Sequence, residues 1–231
     1  MSEAKPFAYE VPEDYERFIE EGQAGLDKVP RNENWEIAQR VLAEAPSREE
    51  VAAAQRLAAE AMSALAEFQQ VEHTGYDPEQ HVKVVLDNTG RLSGIELDAR
   101  AVRIGNNGIA AAFTAAWTEA ETRREEHASA FAGRSVGGVA SEVEQVMRDA
   151  EAALAAREHE RFEQATEDGL GRVAVNLRGR ISEVVFLQNN VLNLTDRHTL
   201  AEQLLAAVTA AQGAAAAAAD AVTAPYYHRL G

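Results

Sequence analysis

A chain of 231 residues with 38 acidic against 22 basic side chains, a formal charge of −16 at pH 7 and no cysteine has no disulfides, thiolate nucleophiles or cysteine-held metals. The length suffices for a buried core in one large domain or two modest ones. The charge weighs against nucleic acid, whose affinity comes largely from lysine and arginine displacing counterions. It is unevenly spread: through residue 72 sixteen acids face seven bases, and the remainder holds 22 against 15.

No apolar run is expected to reach the roughly 18 to 20 residues that cross a bilayer, and the first residues lack the basic and apolar blocks of a signal peptide. The expected location is the cytoplasm. Residues 1–46 form an acidic, aromatic arm punctuated by Pro6, Pro12, Pro30 and Pro46, with short helices expected at 13–21 and 34–44. Phe7, Tyr9, Tyr15, Phe18 and Trp35 give this arm apolar side chains, which pack on the core or dock a partner. Ser47-Arg-Glu-Glu50 has the form of a capping box, so a helix should start there, with Ala54, Leu57, Ala61, Leu65 and Phe68 on one stripe to about residue 70.

A short strand at 71–74 and a loop at 75–78 come next, then strands at 81–87 and 91–98 joined by a polar turn ending in Gly90-Arg91. An irregular connection through Gly105-Asn-Asn107 leads to a helix to about 131, striped by Ile109, Ala112, Phe113, Ala116, Trp117 and Ala120, with Trp117 read as a core residue. Gly133, Gly137 and Gly138 mark a break. A charged helix then carries Val139, Val143, Val146, Ala150 and Leu154. A strand at 162–167 and a second hairpin turning at Gly179-Arg180 follow. The last helix starts near Thr195 or Asp196 and carries Leu200, Leu204 and Val208 through the alanine run 214–219, with Pro225 as its stop.

Laid over one another without a gap, the hairpins put Val84 on Val173, Leu86 on Val175, Leu92 on Ile181, Ser93 on Ser182 and Ile95 on Val184. The fold class read from this order is α+β: two tandem helix, three-stranded antiparallel sheet, helix units forming a pseudo-dimer behind an N-terminal helical arm. The division is 1–46 for the arm, 47–133 and 139–224 for the repeats, and 225–231 for a tail. Each unit covers one face of a small sheet and leaves edges open, so the two must pair.

Val82-Lys-Val-Val-Leu86, Gly90-Arg91, Ile95-Glu-Leu-Asp98 and Ala110-Ala-Ala-Phe113, followed by Ala120 and Arg123-Arg-Glu-Glu126, resemble the YbaB/EbfC family of bacterial nucleoid-associated proteins over about 47–131; residues 139–222 match more loosely. The resemblance implies a homodimer whose subunits join through their sheets and project helices that contact duplex DNA, without catalysis. Two repeats in one chain supply both halves as an intramolecular pseudo-dimer, with a homodimer of whole chains as the other arrangement.

The cations suited to nonspecific phosphate contact are Arg172, Arg178, Arg180 and Arg197 on the second hairpin and its exit, with Lys83, Arg91, Arg100 and Arg103 in the first repeat. Arg123, Arg124, Arg148, Arg157 and Arg161 read instead as ion-paired helix charges. The expected partner is duplex DNA, opposed by the net charge. The alternative is a protein-interaction or secretion-accessory module of the same fold that has lost DNA binding through its acidic surface, docking through Phe7, Tyr9, Phe18, Trp35, Tyr226 and Tyr227. The six histidines show no His-x-x-x-His pair or carboxylate at ligand spacing, so no metal is expected, and no phosphate-loop, nucleophile or dinucleotide motif points to a cofactor or an enzyme.

Overall fold

Ser47 and Glu50 close the expected capping box in both directions: the Ser47 amide donates to Glu50 Oε2 at 2.7 Å, and the Glu50 amide donates to Ser47 Oγ at 3.2 Å. The Ser47 amide and the Ser47 hydroxyl, both donating to the Glu50 carboxylate, hold it below its ordinary range. In the computed structural model, which describes residues 15–26, 28–31, 33–132 and 141–228, helix α3 (Arg48–Gln69) starts there. Before it come α1 (Tyr15–Leu26) and α2 (Glu33–Ala43). The chain divides into two units, Met1–Ala66 and Glu67–Gly231. In the first, Trp35 Nε1 donates to the Leu26 carbonyl at 2.8 Å, Gly22 abuts Leu42, and the Tyr15 hydroxyl donates to the Pro46 carbonyl at 3.0 Å.

The second unit holds two antiparallel sheets. The first is β1 (His73–Tyr76), β2 (Val82–Leu86) and β3 (Leu92–Leu97); the second is β4 (Arg161–Ala165), β5 (Gly171–Asn176) and β6 (Ile181–Phe186), each in chain order. The duplication reaches their irregularities. Register shifts fall between Val85 and Leu86 in one sheet and between Ala174 and Val175 in the other, which are superposed positions. The first turns also correspond: buried Asp77 accepts the Val82 amide at 2.6 Å, and buried Thr166, at the superposed place, accepts the Gly171 amide at 2.9 Å. Gly90 and Gly179 have φ of 84° and 75°, the left-handed backbone that glycine adopts without strain.

Helix α4 (Gly105–Ala132) lies on β1 and β2 of its own sheet and on β6 of the other; α6 (Arg197–Tyr227) lies on β4 and β5 and on β3. Phe113, Trp117, Leu200, Leu204 and Val208 thereby enter one core with Val84, Leu86, Val173 and Val175. The expectation that the halves join through their sheets is corrected: no strand of one sheet pairs with a strand of the other among the described residues, and the joint is made by helices crossing between them. Helix α5 (Ser141–Ala156) packs on α6 through Val146 and Ala150.

Four local expectations change. The first strand begins at His73 and includes Gly75 and Tyr76, because Gly75 lets β1 touch the α4 backbone. The stretch at Gly105 already belongs to α4, after a 3-10 turn at Ala99–Arg103 capped by Asp98. Pro225 lies inside α6: the carbonyl it leaves without an N–H belongs to exposed Ala221, and the His228 amide closes the end on the Ala224 carbonyl at 3.1 Å. Contrary to the expected lack of a long apolar run, α6 is long and apolar enough by length and composition to cross a bilayer; Leu200, Leu204 and Val208 are instead buried in the core. The glycine break at 133–138 lies outside the described residues.

Candidate nucleic-acid interface

Strand β2, the 3-10 turn after β3 and the start of α6 bring three of the eight proposed cations, Lys83, Arg100 and Arg197, to the walls of one groove of about 560 Å3, beside His81 and His198. Each already has a partner. Lys83 Nζ donates to Glu96 Oε1 across the strand pair at 2.7 Å, which raises its pKa above the ordinary lysine value. Arg100 Nε donates to Asp98 Oδ1 at 2.7 Å; this bond and the Arg100 amide hold the Asp98 carboxyl low. Arg197 Nη1 reaches the Leu97 carbonyl at 3.5 Å, tying α6 to the end of β3. Asp196 caps α6 through the Thr199 hydroxyl and the amides of Thr199 and His198, and its carboxyl is likewise lowered.

The two glycine turns meet at a second groove of about 340 Å3 that Arg91, Arg178 and Gln212 line. Gln212, 5% exposed, accepts the Leu92 amide and donates to the Gly90 and Gly179 carbonyls, each at 3.0 Å, so one side chain binds both hairpins. Arg178 pairs with Glu151 of α5 and stands 3.7 Å from Glu158, and its pKa is raised chiefly by the Glu151 hydrogen bond. Arg180 crosses to α4, meeting Glu121 at 2.9 Å and Glu125 at 2.7 Å. Arg172 pairs with Glu163 at 3.2 Å. Only Arg91 and Arg103, of the eight, have no ion pair or side-chain hydrogen bond among the described residues.

The other charged arginines of α4 and α5 are paired within their helices, Arg123 with Glu119 and Arg148 with Glu144; Arg161 stands on β4 and pairs with Glu163 and Glu183. Phe7 and Tyr9 lie outside the described residues. Phe18 is exposed on α1, whereas Trp35 is turned into its helix pair with Arg31 over its ring. Tyr226 is half-buried and Tyr227 exposed at the end of α6.

The histidine reading needs one correction: Asp77, Glu79 and His81 bring their ligand atoms within 4.8 Å of one another. The Asp77 oxygens are already occupied, by the Val82 amide, the Glu79 amide and His81 Nδ1, so the cluster organises a turn. Residues that sequence reasoning missed are Gln212, Glu121 and Asn106. The signal was present, since sliding the α6 stripe 200, 204, 207, 208, 211 over the α4 stripe 109, 113, 116, 117, 120 sets Gln212 on Glu121 and Arg197 on Asn106. Asn106 makes the reciprocal bridge, donating to the Gln188 carbonyl and accepting the Val191 amide at 3.0 Å.

The model of the YbaB/EbfC DNA-binding family matches residues 47–139. Neither a curated protein nor a solved structure matches the chain.

Proposed function

We propose, for a chain whose residues 47–139 are of the YbaB/EbfC DNA-binding family, that residues 47–133 and 139–224 act as two such repeats paired within one molecule, and that this pseudo-dimer binds duplex DNA nonspecifically, without catalysis, in the cytoplasm. The observation that carries the reading is the convergence of Lys83, Arg100 and Arg197, drawn from both repeats, on one groove within a family-matched fold. Phosphates would exchange for Glu96 and Asp98 at Lys83 and Arg100, which makes the contact weak and salt-sensitive. Three such contacts correspond to a log–log salt slope of roughly −2.7, or about 40-fold in affinity between about 50 and 200 mM salt. A gel shift with random-sequence duplex tests this. Binding that weakens by that order and falls further in Arg100→Ala/Arg197→Ala supports the reading, and no binding at the lowest salt overturns it.

A second reading is favoured by one observation: six of the eight proposed cations already hold intramolecular partners. On it, the fold is a protein-interaction module, with Phe18 and Tyr227 among its exposed anchors. Duplex affinity absent at every salt concentration, together with a partner lost on deleting residues 1–46, is its expected result.

A further inference from the structure

The outer edges of the two sheets differ at the first strand of each. In β1 the outward backbone is sealed by α4: the Tyr76 amide donates to Glu119 Oε2 at 2.5 Å, and Arg123 donates to the Thr74 carbonyl. Gly75 lets the helix come that close. The superposed residues of the second repeat are Glu163, Gln164 and Ala165 on β4, and Ala210 and Ala214 on α6 in the places of Glu119 and Arg123. Gln164 is exposed where Gly75 is buried, and neither alanine has a side chain to reach the edge. The ladder to β5 uses alternate residues and continues in the Thr166 amide on the Gly171 carbonyl at 2.9 Å. The backbone groups of Arg161, Glu163 and Ala165 therefore point away from the sheet, with no hydrogen-bond partner among the described residues.

An unpaired strand edge is a template for another extended chain. We propose that β4 takes an extended peptide segment of a partner protein as a fourth strand, and that this segment alternates basic with apolar residues. Charge sets the first half of that chemistry. Residues 157–168 carry five carboxylates against two arginines, with exposed Glu163 at mid-strand and Glu167 and Asp168 just past its end. The other half comes from the opposite face, where Phe162 packs against the core and α6 offers exposed Ala210 and Ala214. Successive side chains of a strand alternate between faces, so lysines on the Glu163 side place apolar residues on the alanine side. A second copy laid antiparallel and centred on this edge would set Glu163 against Glu163, a like-charge pair that a basic segment avoids. The proposal does not draw on the groove of Lys83, Arg100 and Arg197 and stands apart from the duplex reading.

Titrating the full chain with a capped peptide of alternating lysine and valine, about eight residues long, tests this by calorimetry and amide hydrogen exchange. The expected result is saturable binding with slowed exchange at the Glu163 and Ala165 amides. Ala165→Pro removes an outward N–H that β5 does not use, and Ala210→Glu/Ala214→Arg puts the first repeat's sealing residues on α6. Each should weaken binding by about tenfold or more with the circular dichroism spectrum unchanged. Should Ala165→Pro lose its spectrum, the α6 variant alone decides. The same peptide N-methylated throughout keeps every charge, donates no hydrogen bond and should not bind. No binding of the parent peptide, equal binding of the N-methylated one, or full affinity in a folded variant overturns the proposal. A dimer of the wild-type chain in sedimentation that Ala165→Pro dissociates overturns it too, and assigns the edge to a second copy.

Discussion

Gln212 and Glu121 occupy the same place on the two long helices, and each reaches across to the other repeat's hairpin turn by a different chemistry. Gln212 holds the Gly90 turn by neutral hydrogen bonds, and Glu121 receives the Arg180 guanidinium at 2.9 Å. The amide also takes the Gly179 carbonyl of its own repeat, so it is the stronger fastening.

Gln212→Glu keeps the size and the acceptor for Leu92 but removes the donor to two carbonyls, leaving a carboxylate facing them. Removing partners from buried polar groups costs about 1–3 kcal/mol. A melting temperature lowered by several degrees, with Gln212→Asn intermediate or equally low, is the expected outcome by calorimetry. An unchanged melting point would show that water replaces the amide at no cost.

Arg180→Ala, by contrast, should cost no more than about 1 kcal/mol, because the guanidinium is 42% exposed and such pairs are screened. Its effect in denaturant melts should shrink further as salt is raised. A salt-independent loss above that size would mean that the stem, rather than the charge, carries the contact.

Gly75→Ala places a Cβ 2.1 Å from the Ala116 carbonyl and 2.3 Å from the Ala120 amide nitrogen. These are backbone atoms of α4 and cannot swing aside, so β1 or the helix must move, at about 3 kcal/mol. Urea unfolding should show the midpoint falling. Gly94→Ala, whose Cβ would meet only Val85 side-chain atoms at 3.6 Å, is the tolerated control.

His73 supplies a pH dependence. Its ring is buried, Nε2 has no hydrogen-bond partner of normal geometry, and it faces Asn88, Asp87, Arg124 and the His127 ring 5.3 Å away. Desolvation above all, aided by His127 and Arg124, pushes its pKa below the ordinary 6.5. The folded state therefore binds this proton later than the unfolded state does. Its stability contribution is present above pH 6.5 and is lost as pH falls from there through the lowered value. His73→Phe should flatten the melting temperature between about pH 7 and 5 relative to wild type. A parallel decline in both proteins would assign the acid sensitivity to other groups.

Much of the architecture was legible because it is local. The Ser47–Glu50 cap, the two hairpins and the stripe ending at Ala120 follow from spacing alone, whereas the matched irregularities at Val85 and Ala174 came only with the structure. What was hidden lies between residues far apart in sequence. Arg180 looked available for phosphate because Glu121 and Glu125 are more than fifty positions away, and nothing in a one-dimensional pattern places α4 against β6. Pro225 misled for a different reason: a proline near a helix end leaves its orphan carbonyl to solvent.

The crossing of α6 onto β3 also has a bearing on biosynthesis. Leu92 and Gln212 are 120 residues apart, so the first hairpin waits for the last helix before its core is closed. A nascent chain leaving the ribosome would hold Leu86 and Leu92 incompletely covered until that helix has been made, an interval in which chaperones have apolar surface to grip.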